Sequence, residues 1–380
     1  MRFLVAKWNR FWFEPTSQYQ FGVFRILFMV WFIAADRADR PLSVVLYPQS
    51  PELMEPQFPV ALLNALGELS VPYPIPEEYR AMVVAAFTLL LWTSLVGILT
   101  RPSLALLAVA NLYFEGLHSS FGLFSHATSL PSLALLVLAA APGSTSWSGD
   151  GVLLWFWRNV RHRGSFKSDL FRSLAGPAVA PWGPRLILVL LAIVYFASGV
   201  SKLRHSGLQW ADGETLNYYL SGKSITNWTQ FVADPAVLLS QDWRDGVGVG
   251  AYLYRAIPTP PGVFIARHRA LTCVLSILTL LFELGFPLVF CGRRWRIFFL
   301  LAGVGFHTGT AKLMGIPFWG YTVMYLAVID WRGALEATLR RGKSRPSRSC
   351  SKNAVRFLIS FSSQSLFQGG KYNSCSQQEN

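Results

Sequence analysis

LAIVYFASGVSKLRHSGLQWADGETLNYYL, residues 191–220, carries one apolar run out of hydrocarbon and into water and puts a lysine at the crossing. At helical spacing Tyr195, Ser198, Gly199 and Lys202 share one face, while Phe196, Val200 and Leu203 share the other. The stretch reads as a membrane helix with a small polar groove on one side and a lipid-facing stripe on the other. A lysine at the edge of a bilayer either snorkels to water along its methylenes or is held dry, where it becomes a candidate base. Snorkelling is the commoner fate. The Gly and Tyr face and the polar turn that follows favour the second reading for Lys202.

Composition puts this helix in company. Of 380 residues 52% are hydrophobic and only 14% charged, 14 are Trp, and the net charge is +14. That balance fits neither a soluble domain nor a disordered chain and points to an all-α, multi-pass integral membrane protein embedded in a lipid bilayer. Lys and Arg in such a chain report topology, so the positive charge is not read as nucleic-acid binding. Cys273, Cys291, Cys350 and Cys375 lack both metal-ligand spacing and the density of a disulfide framework, and no metal is expected. Residues 1–18 are basic and aromatic without a cleavage signature, as in an interfacial lead-in.

A membrane helix needs about 20 mostly apolar residues. Eight stretches qualify as candidate spans: 19–37, 81–100, 103–117, 127–143, 185–203, 270–291, 296–313 and 316–331, of which the third, fourth and eighth are short. Charge asymmetry gives an independent test. Alternate connections are basic, with Arg101, then Arg158, Arg161, Arg163, Lys167 and Arg172, then Arg293, Arg294 and Arg296. The intervening ones are acidic or mixed, with Glu52, Glu55, Glu68, Glu77 and Glu78 in the first and Asp212, Glu214, Asp234, Asp242 and Asp245 in another. The pattern predicts eight crossings with both termini cytoplasmic. The membrane domain then covers 19–333, with the connection at about 39–80 packed as short helices. An outer, partly helical cap is expected over 204–267 and a basic, polar, disordered tail over 341–380.

With that topology the intramembrane polar groups converge near the outer face. Lys202 ends the fifth span, His126 opens the fourth in FGLFSHATSLPSLALL, and His307 lies in the outer half of the seventh in GVGFHTGTAKLMGIPFWGY. A lone membrane histidine also serves as a hydrogen bonder between helices, and His126 is open to that reading. His307 sits within Gly305-x-x-x-Gly309, a small-residue pattern that lets helices approach closely and turns the imidazole toward the bundle. Glu283, in LLFELGFPLVF, must be protonated or paired, and Arg25, in FGVFRILF, is the partner expected for it. Trp210, with Asp212 and Glu214, either closes the mouth of the lysine groove or belongs to an aromatic belt.

P-loop, dinucleotide, HExxH, nucleophile-elbow and paired CxxC signatures are missing from the chain. In YFASGVSKL, then QWADGETL, and then GFHTGTAKLMGIPFWGYTVMYLAVIDW, the chain resembles the horizontally transferred transmembrane domain (HTTM) family, which shares its membrane domain with vitamin K-dependent gamma-carboxylase. The resemblance runs from about Tyr19 to Trp331. It implies a reduced, vitamin K hydroquinone-like quinone as co-substrate and a glutamate-containing peptide as the group carboxylated. Lys202 matches the family's base within Tyr-Phe-x-x-Gly-Val-x-Lys-Leu, His307 matches the histidine of the later Phe-His segment, and His126 falls opposite a polar position before the fourth span. Where the carboxylase carries a large extramembrane portion after its last span, a basic low-complexity stretch follows here. A non-catalytic module that binds or transports a lipid, quinone or proton is the alternative reading.

Overall fold

The computed structural model describes residues 2–17, 19–34, 39–46, 54–65, 73–121, 126–161, 170–221, 259–316 and 318–331. Among these, 82% are helical, and sheet is confined to one antiparallel pair, Thr16↔Val179 and Ser17↔Ala178. In chain order the helices are α1 (Arg2–Phe13), α2 (Tyr19–Ala34), α3 (Asp39–Leu46), α4 (Val60–Ala65), α5 (Glu77–Val96), α6 (Thr100–Ser119), α7 (His126–Ala140) and α8 (Gly149–Arg161). They continue with α9 (Leu170–Ala175), α10 (Trp182–Ser206), α11 (Glu214–Leu220), α12 (Pro260–Ala266), α13 (Arg269–Gly285), α14 (Arg293–Met314) and α15 (Trp319–Met324). Short 3-10 helices extend α10 over Gly207–Asp212, α13 over Phe286–Phe290 and α15 over Tyr325–Val328. These elements belong to one compact unit, Met1–Val328; of a second, Ile329–Asn380, only residues 329–331 are described.

Among the described residues, four helices are long and apolar enough to cross a membrane: Glu77–Val96, Trp182–Asp212, Arg269–Phe290 and Arg293–Met314. The protein is therefore an integral membrane protein. The other expected spans are helical but shorter or more polar. The helix Tyr19–Ala34 has 16 residues and carries Arg25; α7 holds Pro131; α6 contains Arg101, Asn111, Glu115 and His118. Asn111 Nδ2 donates to Ser132 Oγ at 2.8 Å and ties α6 to α7. The 39–80 connection carries α3 and α4, both against α6. Of the cap, residues 222–258 lie outside the described residues; its two ends are helical, and Thr259 caps α12 while donating to the Leu313 carbonyl at 2.9 Å. The tail 341–380 also lies outside the described residues.

Arg25 does not meet Glu283. It is fully buried, with Nη1 donating to the Ser144 carbonyl at 2.6 Å and Nη2 to the Trp147 carbonyl at 2.8 Å. Two bonds to the loop after α7 hold a cation that hydropathy alone leaves without an address. Gly97, at φ +77, ends α5 beside it, and a Cβ there would come within 2.8 Å of Nη1. Across this loop Asp150 caps α6: Oδ1 accepts from Leu99 N–H, and Oδ2 accepts from Thr100 N–H and Oγ1, each at 2.8 Å. These are amides that the first turn of a helix leaves without internal partners. Burial pushes the Asp150 carboxyl up, but the Thr100 and Leu99 hydrogen bonds and the Arg25 charge outweigh it and hold the group below its usual range.

Asp150→Ala is expected to lower stability by about 1–2 kcal/mol, the worth of a lost helix cap. A carboxyl held below its unfolded value stabilises fully above that value, about 3.9, and its contribution is lost as pH falls through the folded value. Thermal unfolding followed by circular dichroism in detergent should therefore show a constant gap between wild type and variant above about pH 5, closing in acid.

Candidate functional site

The site is built where α10 and α13 run against each other. Gly199 makes the approach possible, since a Cβ there would meet Leu284 Cδ2 at 2.9 Å and Glu283 Cβ at 3.1 Å. One turn on, Lys202 Nζ donates to both carboxylate oxygens of Glu283, at 2.7 and 2.8 Å. Side-chain exposure is 25% for the lysine and 5% for the glutamate. The Trp210 ring centroid lies 5.2 Å from Nζ, a cation–π contact with the amine. The turn that returns Trp210 over the lysine is pinned from below: Gly213, at φ +83, has Cys273 N and Thr272 Oγ1 each 2.6 Å from where its Cβ would stand, and Cys273 Sγ donates to the Asp212 carbonyl at 2.7 Å. Ser198 is half-buried on the same face, while Phe196 and Val200 are exposed on the other.

A second polar cluster lies two turns back along α10. The hydroxyl of Tyr195, which is buried, is 2.5 Å from both His307 Nε2 and the Tyr325 hydroxyl. Gly303 makes room for it, because a Cβ there would collide with the Tyr325 hydroxyl. Phe282, Phe286 and Tyr321 pack around the Tyr195 ring. With the Tyr195 proton in one of these two bonds, the chain runs in one of two senses. Either Tyr325 donates to Tyr195 and Tyr195 to Nε2, with the imidazole proton on Nδ1, or each bond reverses. His307 Nδ1 is buried without a hydrogen-bond partner among the described residues.

Lys202 and His307 belong to two separate hydrogen-bonded groups. Seven residues, about 10 Å of helix, separate their anchor points on α10, and they form two clusters joined through α13, where Phe282 supports Tyr195 and Glu283 holds Lys202. His126 is the first residue of α7, and its side chain lies outside the described residues.

The glycine pattern also differs from its reading. Gly305 and Gly309 have nothing within 4 Å of a Cβ. Instead of a helix contact they line an apolar groove of about 570 Å³ between α11, α13 and α14, with Leu278, Phe282, Phe298 and Phe306. At the two polar clusters the close approaches fall at Gly199 and Gly303, of which only the first stood out in the sequence. Tyr325 was missed too; its signal is the Tyr321-x-x-x-Tyr325 spacing, which puts two tyrosines on one helical face.

No family model matches this chain, and no curated protein or solved structure does.

Gly303→Ala and Gly199→Ala should each destabilise the protein by about 1–3 kcal/mol through overpacking, whereas Gly305→Ala and Gly309→Ala should be nearly neutral. Detergent thermal-unfolding midpoints for the four variants check this; equal losses at all four would contradict the placement of the two helix contacts.

Proposed function

We propose that this protein is an HTTM-type membrane enzyme that takes a proton from a lipophilic quinol at Lys202. The observation that carries the proposal is the Lys202–Glu283 pair, an amine and a carboxylate 2.7 Å apart on two membrane-spanning helices. An amine bonded to a carboxylate becomes a base without a change of net charge: the ammonium proton moves to Glu283, and the neutral amine then accepts the quinol's hydroxyl proton. Trp210 shields the amine, and the Tyr195–His307–Tyr325 chain supplies hydroxyl and imidazole groups that hold oxygen atoms. The groove bordered by Phe282 and Phe306 has the apolar lining a quinone tail requires. By the family resemblance, dioxygen is the oxidant, and a peptide glutamate with carbon dioxide completes a carboxylation.

The proposed topology has eight crossings with both termini cytoplasmic and the lysine pocket toward the extracytoplasmic side. The alternating basic connections support it, as do helices at all eight apolar stretches. The second reading, a non-catalytic module binding or moving a lipid, quinone or proton, is favoured by one feature: both Glu283 oxygens already engage the amine, as in a structural lock.

Membranes containing the protein should convert vitamin K hydroquinone to its epoxide with oxygen, read by mass spectrometry. Lys202→Ala should reduce the rate by about 10²-fold or more, the worth of a positioned base, and Glu283→Gln should also lose turnover. Full activity in Lys202→Arg would refute the base, since a guanidinium stays protonated. Quinol binding without epoxide from folded protein would select the non-catalytic reading.

A further inference from the structure

The segment after the Arg25 loop, GDGVLLWFWRNVR, forms α8, a 13-residue helix in which no residue is buried. Its first turn fixes it to the body of the protein. The Asp150 N–H donates to the Gly97 carbonyl at 3.0 Å, and Gly149 and Gly151 leave just enough space for Ile98 and Leu174. Beyond that turn Val152, Phe156 and Val160 form one row at helical spacing, and Leu153 and Trp157 form a second beside it. All five are exposed, Trp157 to 69%. Arg158 lies on the opposite side and Arg161 on the flank, both exposed. The one acidic group of the helix, Asp150, is engaged with Leu99 and Thr100.

The position of α8 in the fold decides what this face meets. Tyr19, at the start of α2, packs edge-on against Trp147, and the α5–α6 turn bonds to the start of α8. The helix thus leaves the body at the end of the bundle where membrane-crossing α5 terminates. An apolar row of five side chains bordered by cations, projecting at that level, has the composition of a helix lying in the plane of a membrane surface.

We infer that α8 is an in-plane interfacial helix whose apolar row enters the acyl boundary, while Arg158 and Arg161 bind the headgroups of anionic lipid. Charge complementarity selects the anionic lipid surface, because the helix offers two cations and no free carboxylate. Docking on the proton-handling pocket is not involved, so the inference stands apart from the proposed chemistry.

The test uses the full chain in nanodiscs, with its four cysteines replaced by serine and a spin label at Val160→Cys. Discs of phosphatidylcholine alone are compared with discs holding about 30% phosphatidylserine. The label should be more accessible to oxygen than to a water-soluble nickel chelate, and the contrast should grow with phosphatidylserine. Arg158→Gln with Arg161→Gln should abolish the growth, each arginine shifting the surface-bound population on the order of fivefold. Wild-type unfolding midpoints in the double variant would confirm that the fold is intact. A nickel-accessible label in both discs, a depth indifferent to phosphatidylserine, or protection that rises with protein concentration as a second copy covers the face would each overturn the inference.

Discussion

An ammonium and a carboxylate in contact between two apolar helices set the terms for the rest of this structure. Either ion alone in that environment is expensive to desolvate, and their mutual attraction offsets the loss only with close geometry. Lys202 and Glu283 reach it because Gly199 removes the one side chain that would hold α10 and α13 apart. The same close seam brings Phe282 and Phe286 onto Tyr195, so the ion pair and the hydroxyl–imidazole chain share one wall. Trp210 returns over the lysine because Gly213 lets the turn after the 3-10 helix lie on the backbone of α13. Two helices and the turn that follows α10 thus converge on one amine.

Within α2 a similar problem is solved by different means. Arg25 is as buried as any residue in the chain, yet it pairs with two carbonyls of the Ser144–Trp147 loop and feels Asp150 only as a nearby charge. A guanidinium's spread of donors suits carbonyls that point in from a loop, whereas a lysine's compact charge suits a single carboxylate. The Arg25 cluster joins the ends of α5, α6 and α7 and fixes the point from which α8 leaves the body.

Much of the architecture is legible in the sequence, because hydropathy and small-residue spacing are one-dimensional properties. The Tyr195–Gly199–Lys202 face, the lipid-facing Phe196 and Val200, and helices at the apolar stretches all follow from them. Partner choice does not follow. Glu283 needs a cation, but Arg25 and Lys202 satisfy that need equally until neighbours within the membrane plane are known. Gly305-x-x-x-Gly309 and the pair Gly199 and Gly303 look alike as letters. Whether a glycine meets a helix or an open groove depends on what stands opposite, and no local pattern encodes that. The helix α8 hid for a different reason: its arginines marked a cytoplasmic loop in the charge count, and the apolar row between Val152 and Val160 is too short to register as a span.

The central claim is that Lys202 and Glu283 act as one unit, and a double-mutant cycle in lipid tests it most directly. Unfolding free energies would be measured for wild type, Lys202→Met, Glu283→Gln and the double variant. Each single change should cost about 2–4 kcal/mol by stranding the other charge, and the double should cost little more than either, a coupling of about 2–3 kcal/mol. Strictly additive losses would mean that the two groups do not act as a pair and would remove the basis for a proton shared between them.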